Sequence, residues 1–99
     1  MPDFDYQQLD ELIHSRIRLA IVAVLVSVDS AEFTFLREKT GATDGNLSIH
    51  LKKLEEAGYI AVTKQFIARK PVTSYKLSRK GRKAFEEYVE RLGAMVGRK

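Results

Sequence analysis

Residues 43–60 read T-D-G-N-L-S-I-H-L-K-K-L-E-E-A-G-Y-I. Leu47, Leu51 and Leu54 recur at i, i+4 and i+7, the spacing of one buried helical face. Thr43 or Asp44 can cap the start, since either side chain accepts from free N–H groups of the first turn. Gly58 can close the helix in the left-handed conformation that helix ends favour. The opposite face carries Gly45, Asn46, Ser48, Ile49, Lys52 and Lys53. It is small and polar at first, then basic, with no apolar stripe to bury against protein. A helix of this kind fits the DNA major groove, where short side chains read base edges and lysines hold phosphates. A solvated outer face of a core helix is the plain alternative.

Upstream, residues 35–40 form a brief helix in this reading, capped by Thr34 and closed by Gly41. Arg37 stands where a capping box would place an acid. Residues 41–43 then make a tight connection, so the two helices form a helix-turn-helix candidate. Residues 31–33 read as a very short strand, after a turn at Asp29-Ser30. Residues 17–28 are apolar on more than one side. Their β-branched content favours a strand, but twelve residues is long for one, so a helix is expected, with Ser15 able to cap it. A helix apolar nearly all round needs two covers. In a chain this small, the core supplies one and a second subunit the other. Further upstream, Leu9, Leu12 and Ile13 begin an apolar pattern, and residues 3–10 form a short polar arm, helical from about Gln7.

Downstream of Gly58 the period changes to two. Ile60, Val62, Lys64 and Phe66 share one side of a strand. Residues 68–71, A-R-K-P, form a basic break, and residues 72–77 return as a second strand. Pro71 suits the loop because it has no N–H for a ladder. This is a β-hairpin with Arg69 and Lys70 at its tip. Ser78 then caps a last helix, with Gly81, Phe85, Tyr88 and Leu92 on one stripe. Arg79, Lys80, Arg82 and Lys83 crowd its start, the wrong end for the helix dipole. An approaching phosphate backbone would favour cations there; a solvated basic patch is the alternative. Val89, Met95 and Val96 give this helix a second apolar edge.

Composition sets outer bounds. The 99 residues suit one domain spanning 1–99. Net charge is +4, unevenly spread. Residues 1–33 hold two basic and six acidic side chains, net −4, and residues 34–99 hold fifteen and seven, net +8. The asymmetry suits one surface for a polyanion and another for a different partner. With no cysteine there is no disulfide, thiolate metal site or thiol switch. His14 and His50 lack metal-ligand spacing, so no metal and no cofactor are expected. The acidic start M-P-D-F-D-Y is unlike a signal peptide. The longest apolar run, residues 19–26, is far short of the roughly 20 residues that span a bilayer. No membrane association is expected, and the chain reads as soluble and cytoplasmic.

Four strings point to a family: H-S-R-I-R-L-A-I at 14–21, F-T-F-L-R-E-K-T-G at 33–41, N-L-S-I-H-L-K-K-L-E-E-A-G-Y-I at 46–60 and Y-K-L-S-R-K-G-R at 75–82. Together they resemble small single-domain winged helix-turn-helix transcriptional regulators close to the MarR and ArsR groups. The likeness runs from about residue 9 to 92. It implies an α+β, mainly helical fold: a three-helix core, a β-hairpin wing and a C-terminal helix. It also implies a homodimer on double-stranded DNA, a repressor whose central helices enter successive major grooves while the wings flank them. Residue by residue, Thr43, Asn46, Ser48, Ile49, Lys52 and Lys53 fall where such proteins meet DNA, and Arg69 and Lys70 fall at the wing tip. His50, beside the buried stripe, either donates to a phosphate or packs under the helix. Leu19, Val22 and Val26 of the first long helix, with Val89, Leu92 and Val96 of the last, are the expected dimer interface. A two-fold dimer calls for an inverted-repeat operator with half-sites about 10 base pairs apart or a multiple of that. A small-molecule effector is compatible with the sequence, which singles out no residue for one.

Three other functions compete. A winged helix can serve protein interaction with a merely solvated wing. RNA binding fits less well, because A-form major grooves do not admit side-chain readout and the aromatics here sit at core spacing. An enzyme fits least: there is no phosphate loop, nucleophile elbow or catalytic carboxylate pair, and Glu55-Glu56 and Glu86-Glu87 are ordinary helix surface.

Overall fold

A computed structural model of the chain describes residues 9–97. The order of elements is α1 (Arg16–Val26), β1 (Ala31–Glu32), α2 (Phe33–Thr40), α3 (Asp44–Glu56), β2 (Ile60–Ile67), β3 (Lys70–Leu77) and α4 (Arg79–Met95). The arm expected to turn helical near Gln7 lies mostly outside the described residues. Its end is a turn rather than a helix, with Asp10 Oδ1 accepting from the N–H groups of Leu12 and Ile13.

Helix α1 starts at the Ser15 cap, whose hydroxyl accepts from the Arg18 N–H. It stops at Val26, two residues before the expected end. Ser27 turns its N–H and its hydroxyl onto the Val24 carbonyl, closing the helix there. The strand reading of this segment is therefore wrong. The β1 strand is also shorter than expected, because its pairing ends with Glu32 opposite Ser74. Helix α2 begins at once, at Phe33, with Glu32 as an N-cap that makes no side-chain bond. Thr34 is inside the helix and caps nothing.

Helix α3 is capped by Thr43, whose hydroxyl accepts from the Asn46 N–H at 3.2 Å. Asp44, the other capping candidate, instead pairs with Arg37 of α2 at 2.8 Å. That pair is well exposed, so it ties the two helices only weakly. At the C-terminus Gly58 has φ +80°. Its N–H reaches the Glu55 carbonyl and the Tyr59 N–H reaches that of Leu54, the paired bonds of a Schellman ending.

The sheet has the order β1-β3-β2 and is antiparallel throughout. The hairpin loop is only Ala68-Arg69, since Ile67 pairs with Lys70. Lys70 and Pro71 thus belong to β3, not to the loop. The closing pair exchanges both ladder bonds, so by alternation Phe66 and Pro71 form a non-bonded pair and the missing N–H costs nothing. Both loop residues have positive φ, +53° and +68°. Two-residue hairpin turns ask for this, usually from Gly or Asn.

The main core joins Ile21, Val22 and Leu25 of α1, Leu36 of α2, Leu47, Leu51 and Leu54 of α3, and Ile60, Tyr75 and Leu77 of the sheet. A smaller cluster of Leu9, Ile13 and Tyr88 attaches the N-terminal turn to α4, with Leu19 packed against it. Much of the second cover for α1 is therefore intramolecular. Val22 is 0 % exposed in the single chain, so it cannot meet a partner subunit, and its place in the expected dimer interface is corrected. The stripe on α4 is buried at Gly81 and Tyr88 but runs out at Leu92, which is 40 % exposed. The molecule measures 58 × 25 × 22 Å, and the burial pattern shows the outer half of the wing leaving the body, with Phe66 76 % exposed.

Candidate nucleic-acid interface

Burying Leu47, Leu51 and Leu54 forces the other face of α3 outward. Asn46, Ser48, Ile49, Lys52 and Lys53 are all exposed there. Ile49 is the telling residue: a large aliphatic side chain 55 % exposed on an otherwise polar face. Water does not favour it, whereas a thymine methyl would. Thr43 is exposed at the helix start, where its oxygen already serves as cap.

His50 is half-buried on the flank of α3 that faces α1. Its Nδ1 lies 2.9 Å from Nη1 of Arg18. The Arg18 Nε also donates to the Leu12 carbonyl at 2.6 Å. Burial, then the charges of Arg18 and Lys53, push the His50 pKa below its ordinary 6.5. The unfolded chain therefore takes up a proton near pH 6.5 before the folded one does. Stability rises with pH through that window and falls on acidification. Acidifying from neutral pH should lower the thermal midpoint, and His50→Gln should flatten that dependence. An equal acid loss in the variant would place the effect elsewhere.

The wing carries Lys64, Arg69 and Lys70, all exposed, with Arg69 at the turn itself. A left-handed arginine costs about 1–2 kcal/mol relative to an ordinary conformation. The fold tolerates that cost while keeping a cation at the apex. At the start of α4, Ser78 accepts from the Gly81 N–H and donates to the Gly58 carbonyl at 2.6 Å. Lys80 lies 5.7 Å from the Tyr59 ring centroid. Lys80 thus has a partner within the chain; Arg79, Arg82 and Lys83 are exposed.

His14 takes no part in this surface. Its Nδ1 is 2.7 Å from the Tyr88 hydroxyl, which helps hold the N-terminal turn to α4. Tyr59 anchors the same turn by donating to Asp10 at 2.5 Å. Burial first, then that bond, push the Tyr59 hydroxyl up to about 12. The sequence reading missed Arg18 and Arg37. Its place as the one charged residue inside the apolar run 17–28 was the available signal for Arg18. Nothing local marks Arg37 as a bridge to α3.

A helix-turn-helix with an exposed polar second helix, followed by a cationic hairpin, defines a winged-helix DNA-binding protein. The chain belongs to the winged helix DNA-binding domain family, which it matches over residues 17–96. This is a family of DNA-binding domains, not of enzymes. It is 42 % identical over 79 residues to an uncharacterized protein of Methanocaldococcus jannaschii, covering 80 % of this chain and 86 % of that one. Among solved structures it is similar to a transcriptional regulator homologue from Pyrococcus horikoshii, with TM-score 0.82, 25 % identity and coverage of 89 % and 87 %. It also shares its fold with a MarR family transcriptional regulator from Silicibacter pomeroyi, with TM-score 0.66, 19 % identity and coverage of 86 % and 56 %. Among the described residues, no helix is long and apolar enough to cross a membrane.

Proposed function

We propose that residues 1–99 act as one domain, a transcriptional regulator that reads a duplex DNA operator through α3 and grips its flanks through the wing. The observation that carries this is the exposed set Asn46, Ser48 and Ile49 in the first two turns of α3, within a chain of a DNA-binding family. A docked helix presents those turns to base edges. Asn can bond adenine through two hydrogen bonds, and Ile can meet a thymine methyl. Lys52 and Lys53 follow a turn later, where the backbone runs. Regulation is by repression in the cytoplasm, the protein occupying its operator.

The regulator works as a homodimer. Val26, Phe85 and Val89 line a surface hollow of about 240 Å³ between α1 and α4. Leu92 and Val96 extend the apolar surface along α4. Leu19 is half-buried and contributes at the edge. An inverted-repeat operator follows from that symmetry. Sedimentation at micromolar concentration checks the pairing, and a monomer there would remove the inverted repeat with it.

A second reading, a protein-interaction module, is favoured by one observation: Phe66 and Ile67 are exposed on the wing. Titration against selected and scrambled duplexes at several salt concentrations separates the two. Asn46→Ala or Ile49→Ala should lower affinity for the selected site by about 1–3 kcal/mol and barely change scrambled binding. Arg69→Ala with Lys70→Ala should weaken both duplexes alike and make the salt slope shallower, because phosphate contacts release counterions. Equal loss on both duplexes for the α3 variants would mean that this helix does not read sequence. No binding of wild type at low salt would favour the protein-interaction module.

A further inference from the structure

We propose that Arg18 of α1 and His50 of α3 together form a binding site for a DNA backbone phosphate, built across two helices beside the reading face. This rests on the DNA-binding reading above and adds to it a residue from outside the helix-turn-helix and the wing.

A guanidinium has N–H donors and no acceptor. The 2.9 Å contact from Arg18 Nη1 to His50 Nδ1 therefore requires Nδ1 to accept. The imidazole must be neutral, with its hydrogen on Nε2. Burial and the neighbouring charges of Arg18 and Lys53 favour the same neutral state. Arg18 thus fixes the tautomer of His50 and leaves Nε2–H as a donor. The guanidinium is itself held from a second side by the Leu12 carbonyl at 2.6 Å. Its remaining N–H groups are left for another acceptor.

Both groups that Arg18 bonds are neutral, and among the described residues no carboxylate pairs with it. A half-buried cation without a counter-ion is costly unless an anion arrives. His50 follows Asn46 by four residues and precedes Lys53 by three, so all three lie along one edge of α3. That edge presents Arg18, Lys53 and the His50 Nε2–H together. Charge-assisted donors of this kind suit a phosphate oxygen, and such contacts set a protein's register on the duplex. Arg18 is then a positioning residue for His50 as well as a source of charge.

The test uses the full chain, nitrogen-15 resonances of its histidines, and a short mixed-sequence duplex titrated across salt. Wild type should show His50 with its proton on Nε2. Arg18→Gln should raise the His50 titration midpoint and mix its tautomers. The same variant should weaken duplex binding about three- to tenfold at low salt and lower the salt slope by roughly one unit. Arg18→Lys keeps the charge and should keep most of the slope. His50→Gln keeps a donor near the Nε2 position and should bind better than His50→Ala. A proton on Nδ1 in wild type overturns the proposal. So does a folded Arg18→Gln protein with the wild-type slope. If Arg18→Gln fails to fold, the wild-type tautomer and the paired His50 variants decide: equal binding by His50→Gln and His50→Ala overturns it. The Arg69→Ala, Lys70→Ala protein is the control. If it flattens the salt slope while Arg18→Gln does not, DNA binding stands and this site falls. If wild type binds no duplex at low salt, the DNA-binding reading fails first and takes the site with it.

Discussion

Leu51→Ala is expected to lower folding stability by about 2–5 kcal/mol, the cost of a buried leucine and the cavity it leaves. Leu51 is 2 % exposed and packs in the main core with Leu47 and Leu54 of its own helix, the α1 residues and the sheet. The three leucines set the rotation of α3. Their loss would therefore loosen the face that presents Asn46 and Ile49, as well as the core. Against a typical domain stability of about 5–15 kcal/mol, the loss is a large fraction. Denaturant unfolding measures it: the midpoint should fall while the slope with denaturant stays constant. Leu51→Met keeps the volume and should cost less than about 1.5 kcal/mol. A loss under about 1 kcal/mol for the alanine variant would contradict an inward Leu51.

Gly81→Ala should be nearly as damaging, although alanine is the better helix former. A Cβ at Gly81 would stand 2.2 Å from the Tyr59 carbonyl oxygen and 2.8 Å from Leu77 Cδ1. The carbonyl cannot easily move, because it accepts from the Ser78 N–H at 2.9 Å. Ser78 in turn caps α4 and bonds the Gly58 carbonyl. Helix propensity returns about 1 kcal/mol per Gly→Ala exchange. Overpacking of this severity costs about 1–3 kcal/mol or more, so the clash should win with a net loss of about 2 kcal/mol. Gly45→Ala is the control. Nothing lies within 4 Å of its Cβ position, so propensity alone should act and the protein should gain up to about 1 kcal/mol. A thermal or denaturant melt of both variants reads the contrast. If both are stabilised, α4 does not approach the α3–β2 junction as closely as described.

The two variants also show why some features were legible in the sequence and others were not. The leucine spacing of α3 is local, repeated and bounded by a cap and a glycine, so its rotation and its outward face follow from the sequence. Gly81 looked like one member of an apolar helical stripe. Its real constraint is a carbonyl twenty-two residues earlier, which no local pattern reveals. Val22 is a similar case. An all-round apolar helix shows that a second cover exists, but not whether it comes from the same chain. Here the main core buries Val22, and Tyr88 with Leu9 and Ile13 packs against Leu19 on the same helix. The end of the wing loop falls two residues earlier than the sequence suggests, because Pro71 reads as a loop residue until the register places it in a strand pair.

The sequence by itself determined the class of fold, the caps at Ser15 and Ser78, the ending at Gly58 and the exposed face of Asn46, Ser48 and Ile49, and it narrowed the cap of α3 to Thr43 or Asp44. Each of these depends on neighbours within a turn or two, where periodicity and hydrogen-bonding chemistry are sufficient. Only the tertiary structure decided that Arg18 meets His50, that Asp44 pairs with Arg37 and that the N-terminal turn is anchored through Tyr59 and Tyr88. Those contacts join residues on different elements. They are fixed by how the helices pack, and the spacing of residues along one helix carries no record of which neighbour it meets.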